Sequence, residues 1–275
     1  MEDGAPNTDK AVSDPPVWSQ LRFEARDAAQ QEPSLASYIS ATILDHDDFS
    51  HALGFHLADQ LADRQVMALQ VRNICDQAYK ADPQIIRAAE RDIQAVYARD
   101  PACRQMLQPF LFFKGFAALQ SHRIAHWLWQ QGRETLAFHF QGRVSELFQV
   151  DVHPATQIGS GVMFDHATGI VIGETAVIGD DCSILQGVTL GGTGKEVGDR
   201  HPKIGNGVLI SVGAKVLGNI KVGDQAKIAA GSVVLKNVEP LCTVAGVPAK
   251  PVGGPCADAA KNMDQTLPAI PDYSI

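Results

Sequence analysis

The sequence lacks the marks of several protein classes. Its five cysteines are odd in number and form no CxxC pair, which argues against a disulfide framework or a cysteine zinc site. No apolar run approaches the roughly 20 residues of a membrane helix, and no basic segment followed by an apolar one indicates a signal peptide. The net charge of -8 disfavours nucleic acid and anionic membranes as partners. We therefore expect a cytoplasmic protein with reduced thiols.

The 275 residues divide by pattern into four segments. Residues 1–15 are polar, run into Pro15-Pro16 and are expected to be disordered. Residues 16–150 show helical periodicity; after Asp82-Pro83, for example, Ile85, Ile93 and Val96 recur on one helix face. The remaining segments are a repeat region over 151–240 and an exit segment with a flexible tail over 241–275.

A strict period of six organises the repeat region. Branched apolar residues return at this interval at Ile204, Ile210, Val216, Val222, Ile228 and Val234, and upstream at Ile172, Ile178, Ile184 and Leu190. Neither a helix nor a lone amphipathic strand has this period. Three short strands per turn of a triangular prism do, with one inward residue per face. The predicted fold is α+β: an all-helical N-terminal domain, then a left-handed parallel β-helix of hexapeptide repeats.

The period is interrupted twice. Leu190 and Ile204 are fourteen residues apart, against twelve for two whole units, so GGTGKEVGDRHPK is predicted to be an extruded loop. A second offset of two residues lies between Ile158 and Ile172, around DHATG. Because insertions in repeat proteins collect on the binding face, both interruptions indicate a functional site.

Two polar pairs stand at these interruptions, Asp165-His166 and Arg200-His201. A neutral imidazole at His166 could act as a general base, since histidine ordinarily has a pKa of roughly 6.5. Asp151 lies fifteen residues earlier, against eighteen per turn, so we expect it to stack beside His166 and orient the ring. Arg200 suits a carboxylate, which it can bind with two hydrogen bonds. Solvated surface residues are the alternative for both pairs.

A metal site is not expected. His122 and His126 are four residues apart on one predicted helix face, so a metal pair is conceivable. No HExxH pattern and no suitably spaced carboxylate accompanies them.

Five segments resemble the bacterial serine O-acetyltransferases. They are ADPQIIRAAERDIQAVYARDPA, LFFKGFAALQSHRIAHWLW, FQVDVHPATQIGSGVMFDHATGIVIGETAVIGDD, SILQGVTLGGTGKEVGDRHPKIG and AGVPAK, which together span most of residues 80–250. The resemblance implies acetyl transfer from acetyl-CoA to the hydroxyl of L-serine, giving O-acetyl-L-serine and CoA, the committed step of cysteine biosynthesis. No cysteine or serine stands in an obvious nucleophile position, so we expect direct attack without an acetyl-enzyme.

The resemblance also implies roles for particular residues. His166 would be the general base, and Asp151 would orient it. Asp100 and Asp165 would hold the serine ammonium group, and Arg200 its carboxylate, with His201 close by. CoA would lie in a groove between neighbouring β-helices, contacting Gly192, Thr193 and the turn near Ala230.

Assembly and regulation follow from the same resemblance. The family implies a homo-oligomer, a trimer through the β-helices or a dimer of trimers through the helical domains, with feedback inhibition by L-cysteine. The C-terminal Ile275 would insert into O-acetylserine sulfhydrylase, since a flexible peptide can offer its carboxylate to a partner.

Three other functions remain possible from the sequence. One is a hexapeptide acyltransferase acting on another hydroxyl or amine. The second is a metal-dependent hydratase resembling the gamma-class carbonic anhydrases, for which His153, His166 and His201 are the available ligands. The third is a purely regulatory subunit of the sulfhydrylase.

Overall fold

The computed structural model describes residues 16–194 and 197–267, and its first part is helical. The α-helices are α1 (Val17–Gln31), α2 (Ala36–Ile39), α3 (Phe49–Leu61), α4 (Ala68–Ala81), α5 (Gln84–Arg99), α6 (Leu107–Phe112), α7 (Lys114–Gln130) and α8 (Glu134–Phe148). A 3₁₀ turn (Pro33–Leu35) and a π turn (Ser40–Leu44) flank α2. The apolar face predicted for α5 is buried, with Ile85, Ile93 and Val96 at most 7% exposed. Helix α8 ends at Phe148, and the next residue, Gln149, adopts the left-handed conformation typical of a helix stop.

The second part is a prism of short parallel strands on three faces. Face A contains β1 (Val150–Val152), β4 (Ile170–Ile172), β7 (Thr189–Gly191), β10 (Lys215–Leu217) and β13 (Val233–Val234). Face B contains β2 (Gln157–Ile158), β5 (Val177–Ile178), β8 (Lys203–Ile204) and β11 (Lys221–Val222). Face C contains β3 (Met163–Asp165), β6 (Ser183–Leu185), β9 (Leu209–Ile210), β12 (Lys227–Ile228), β14 (Thr243–Ala245) and the antiparallel β15 (Lys250–Pro251).

Strand register shows where the turns are enlarged. Downstream turns contain eighteen residues, since Lys203 pairs with Lys221. The first turn contains twenty residues, since Val150 pairs with Ile170, which confirms the two-residue offset around DHATG. The extruded loop is larger than predicted. Leu190 pairs with Val216, twenty-six residues on, so the loop adds eight residues to a single unit.

The helical part joins the prism through a buried charged cluster. Asp92 of α5 is fully buried, and its Oδ2 accepts from Arg123 Nη2 at 2.6 Å, Arg123 Nε at 3.1 Å and Gln120 Nε2 at 3.0 Å. Its Oδ1 accepts from the backbone N–H of Val162 at 2.9 Å. Arg123 of α7 also donates to the Gly159 carbonyl at 2.7 Å. The carboxylate and the guanidinium thus connect α5 and α7 to the chain just before β3.

The structure describes residues 256–267, the first part of the segment predicted to be a flexible tail. Residues 256–267 return across face C and include the short helix α9 (Ala259–Asn262). Ala259 packs with Leu185 and Leu209, and Ser183 Oγ donates to the Ala260 carbonyl at 3.0 Å. The composition is that of a flexible segment, but the two small alanines fit closely against apolar side chains of face C. The expected disordered residues 1–15 and the terminal Ile275 lie outside the described residues.

Candidate active site

Asp165 and His166 lie at the edge where face C turns into face A. We call residues 166–169 the His166 corner. His166 and Ala167 both have positive φ, 53° and 61°, a conformation that non-glycine residues rarely adopt. The His166 side chain is 72% exposed, and its Nε2 lies 3.8 Å from Asp165 Oδ1. The turn therefore projects an accessible imidazole beside a carboxylate.

A cavity of about 290 Å³ opens next to this corner. Its lining includes Asp100 at the end of α5, Asp165, His166 and Lys114. Burial raises the pKa of the Asp165 carboxyl group, and the nearby Asp100 raises it further, while His166 acts in the opposite direction. Two carboxylates close together in a partly buried cavity favour a cationic ligand, because a positive group relieves their repulsion.

Asp151, predicted to stack beside His166, lies on the face that follows the His166 corner. It lies in the middle of β1 on face A and pairs with Val171, because the first turn has twenty residues instead of eighteen. Its Oδ1 accepts from Gln141 Nε2 at 2.6 Å. The His166 corner still lies nearby, since the Gly169 N–H donates to the Gln149 carbonyl at 2.8 Å, two residues before Asp151.

Arg200 and His201 lie at the opposite edge of face A, where it turns into face B. We call this the Arg200 corner; it comprises residues 173–175 and the end of the extruded loop. His201 Nδ1 lies 2.9 Å from Thr175 Oγ1, which also accepts from the backbone N–H groups of Arg200 and His201 at 3.0 and 3.1 Å. Arg200 Nη2 donates to Glu174 Oε2 at 2.7 Å. This hydrogen bond lowers the pKa of Glu174.

Sequence reasoning missed Glu174 and Thr175, although they determine how Arg200 and His201 are held. The sequence feature that could have indicated this corner is the adjacent Gly173. A side chain there would place its Cβ 2.0 Å from His201 Nε2, so the imidazole occupies the space that the glycine leaves. Burial lowers the pKa of His201, and the charge of Arg200 lowers it further, which favours a neutral ring.

The residues predicted to contact CoA are divided between the two edges of face A. Gly192 lies against Arg200: a Cβ added at the glycine would be 3.4 Å from the Arg200 carbonyl oxygen. Thr193 lies against Gly218, where an added Cβ would be 3.3 Å from the Thr193 methyl group. Ala230 lies between β12 and β13, where face C turns into face A, several turns along from His166. No single corner of one chain therefore holds all three.

The two corners lie at opposite edges of face A. Strand β4 separates them, and its three residues span about 10 Å at roughly 3.3 Å per residue. In serine, the carboxylate carbon and the carbon that carries the hydroxyl are both bonded to Cα. Serine is therefore shorter than the backbone distance that separates the two corners.

The described residues contain no candidate metal site, and the two histidines of α7 have other contacts. Within residues 16–194 and 197–267, no cluster of three or more His, Cys, Asp or Glu residues could hold a metal ion. His122 Nε2 lies 3.1 Å from the Thr156 carbonyl, and His126 Nδ1 lies 2.8 Å from the Pro154 carbonyl. These rings thus bridge α7 to the prism.

No helix among the described residues is long and apolar enough to cross a membrane.

Known proteins share both parts of this architecture. Residues 17–121 match the family model for the N-terminal region of serine acetyltransferases, and residues 201–236 match the bacterial transferase hexapeptide model. The serine acetyltransferase of Escherichia coli K12 is 56% identical over 255 residues, covering 92% of this chain and 93% of the relative. The chain belongs to the serine acetyltransferase family. The predicted fold, with its left-handed β-helix, is thereby confirmed.

Solved serine acetyltransferases have the same three-dimensional structure. The Vibrio cholerae protein is 56% identical with a TM-score of 0.90, covering 91% of this chain and 97% of that one. A serine acetyltransferase solved in complex with cysteine is 53% identical with a TM-score of 0.90, covering 91% and 98%. A Brucella abortus serine acetyltransferase was solved with coenzyme A; it is 51% identical with a TM-score of 0.87, covering 88% and 97%.

Proposed function

We propose that this protein transfers the acetyl group of acetyl-CoA to the hydroxyl of L-serine, giving O-acetyl-L-serine and CoA, the first step of cysteine biosynthesis. The observation that carries the proposal is the 56% identity to a serine acetyltransferase over 92% of the chain. The exposed His166 beside the two carboxylates gives the chain a base and an ammonium site of the kind this reaction needs. No observation favours another acceptor.

His166 is the general base in this proposal. Its imidazole takes the proton of the serine hydroxyl as the oxygen attacks the thioester carbonyl carbon. The tetrahedral intermediate then collapses, the bond from carbon to sulfur breaks, and the CoA thiolate recovers the proton from the imidazolium. Asp151 orients the ring and stabilises its charged form, which requires His166 to turn from Asp165 toward face A. Its 72% exposure leaves room for that rotation.

Serine binds through both of its charged groups. Asp100 and Asp165 bind the ammonium group, and a bound cation offsets the burial and the repulsion by Asp100 that raise the pKa of Asp165. Arg200 binds the carboxylate with paired hydrogen bonds, and His201 lies beside it. L-cysteine carries the same ammonium and carboxylate groups, so it competes for this site and inhibits the enzyme. This agrees with the relative solved in complex with cysteine.

The active site forms between two copies of the chain. Three prisms with face A turned toward a common axis bring the Arg200 corner of one chain next to the His166 corner of the next. The outward side chains of face A suit burial, since Val171 and Leu235 are 41% and 50% exposed. The homo-oligomer is thus a trimer, or a dimer of trimers. The same packing brings Gly192 and Thr193 near Ala230 of the neighbour, which forms the CoA groove.

Mixing inactive variants tests the shared site. His166→Ala and Arg200→Ala are each expected to lose activity. In trimers randomly reassembled from equal amounts, about one site in four combines an intact His166 with an intact Arg200 from the neighbour. We expect recovery of about a quarter of the wild-type activity. No recovery, in trimers shown to be mixed by a mass tag, would place both residues of each site in one chain.

Two further proposals concern location and partner. All five cysteines are free, which supports the reducing cytoplasm as the compartment. We propose that Ile275 binds O-acetylserine sulfhydrylase through its terminal carboxylate. Isothermal titration of the full chain and of a variant lacking Ile275 against the sulfhydrylase tests this; equal affinity would disprove it.

The central experiment follows CoA release with a thiol reagent, in the presence of acetyl-CoA and L-serine. Wild type is expected to release CoA only when serine is present, and His166→Ala to do so at least about a hundredfold more slowly. Full activity of His166→Ala would overturn the mechanism and leave the substrate intact. No serine-dependent release by wild type would overturn the function.

A further inference from the structure

The first turn of α7 contacts the chain on both sides of the proposed general base, at the Phe164 backbone and at the Thr168 side chain. On one side, Gly115 lies so close to β3 that an added Cβ would be 2.0 Å from the Phe164 carbonyl oxygen. On the other side, Lys114 Nζ donates a hydrogen bond to Thr168 Oγ1, in the His166 corner. Two consecutive residues of the helical part thus bracket Asp165 and His166.

The segment that they bracket is strained. His166 and Ala167 are consecutive non-glycine residues with positive φ, a conformation that is unfavourable for residues with a Cβ. Such a conformation persists only where surrounding contacts enforce it. Backbone contacts support the far end of the corner, where Gly169 donates to the Gln149 carbonyl and Gly187 to the Thr168 carbonyl, both at 2.8 Å.

Side-chain support comes from Lys114. Lys114 is half-buried and lines the same cavity as Asp100, Asp165 and His166. Its ammonium group contacts the hydroxyl of Thr168. Thr168 is exposed and lies two residues after His166. The hydrogen bond therefore attaches an exposed, strained turn to the start of a seventeen-residue helix.

We propose that Lys114 is a positioning residue for the general base. It acts through Thr168, holding the His166 corner in the conformation that presents the imidazole to the substrate hydroxyl. This inference rests on the proposed acetyltransferase function. Without the hydrogen bond, the corner samples other conformations and the imidazole leaves its reactive position. Serine binding through Asp100, Asp165 and Arg200 is unaffected, because those groups hold the substrate and not the base.

The test compares Lys114→Met, Lys114→Arg, Thr168→Val and the double variant in the serine-dependent CoA-release assay. We expect Lys114→Met to lower kcat about ten- to a hundredfold, since small displacements of a catalytic group have effects of this size. The KM for L-serine should stay within about twofold of wild type, and Lys114→Arg, which keeps a charged donor, should restore most of kcat. Thr168→Val should reproduce the loss, and the double variant should be no slower than either single variant.

Three outcomes would overturn the proposal. Full kcat in Lys114→Met would show that the hydrogen bond is not needed. A lower KM for serine with unchanged kcat would show that Lys114 acts only by repelling the ammonium group. Additive losses in the double variant would show that Lys114 does not act through Thr168.

Controls separate this proposal from folding and from the function itself. Lys80→Met removes an exposed charge at the end of α4 and should retain wild-type kinetics. Melting temperatures of all variants should lie close to that of wild type, so that kcat reports positioning. Serine-dependent release by wild type is measured in the same series. If wild type shows none, the acetyltransferase function fails; if wild type is active, the result bears on Lys114 alone.

Discussion

Replacing Gly173 with alanine should displace His201 and little else. The new Cβ would lie 2.0 Å from Nε2, 2.2 Å from Cδ2 and 2.7 Å from Cε1 of the imidazole. Ordinary contact begins at 3.4 Å, so the ring has to retreat by at least 1.4 Å. The φ of Gly173 is not in the left-handed region, so alanine meets a steric obstacle and no backbone strain. The ring thereby loses its contact with Thr175.

The kinetic effect follows from that displacement. Misplacing an active-site group by about 1 Å can reduce the rate a hundredfold, and we expect a loss of this size in kcat/KM for L-serine. A hundredfold loss corresponds to about 2.7 kcal/mol of transition-state stabilisation. Overpacking should also lower the free energy of unfolding by about 1–3 kcal/mol. Steady-state kinetics and urea unfolding measure the two effects separately.

Two further variants decide whether His201 is responsible. Gly142→Ala makes the same change within α8, where nothing lies within 4 Å of the new Cβ. It should leave activity unchanged and raise the free energy of unfolding by about 0.5–1 kcal/mol. In a His201→Ala background the obstacle is gone, so Gly173→Ala should cause no further loss. Activity within about threefold of wild type, or losses that add in the double variant, would refute the reasoning.

Two other predictions concern stability. Asp92→Asn leaves the Arg123 charge buried without its partner and should lower the free energy of unfolding, measured by urea denaturation, by about 3–5 kcal/mol. The control Glu146→Gln breaks an exposed pair and should lower it by less than about 1 kcal/mol. Equal losses in the two variants would contradict the argument. Burial lowers the pKa of His56 to about 4, so between about pH 6.5 and 4 the unfolded chain binds a proton that the folded chain does not. As the pH falls through this window, the free energy of unfolding should therefore decrease by about 1.4 kcal/mol per pH unit from this histidine, and a pH dependence that His56→Gln leaves unchanged would disprove it.

The prism was predictable from the sequence because its core imposes the period. Inward residues such as Ile184, Ile210 and Ile228 must stack face by face, and all three are fully buried. The size of the extruded loop was not predictable in the same way. A step of fourteen residues from Leu190 to Ile204 fits two units plus two residues or one unit plus eight, and apolar period alone does not distinguish them. Strand register does, and it supports the second.

The candidate site was only partly predictable. Asp165, His166, Arg200 and His201 stand out because each interrupts a repeat, yet their partners come from distant parts of the chain. Lys114 is fifty-four residues from Thr168. The insertion of two residues places Asp151 opposite Val171, so its position relative to His166 could not be read from the regular period of eighteen residues.

Because the turns beyond the extruded loop are regular, the number of turns in the prism can change without altering the two corners. Downstream strands repeat at eighteen residues, as the pairing of Lys215 with Val233 shows, and stacked units contact mainly their neighbours. A duplicated turn inserted after β11 would leave His166 and Arg200 in place. It would move Ala230 about 4.8 Å along the axis, the spacing of adjacent strands. In the proposed CoA groove, an added turn would therefore move one contact while leaving both corners unchanged.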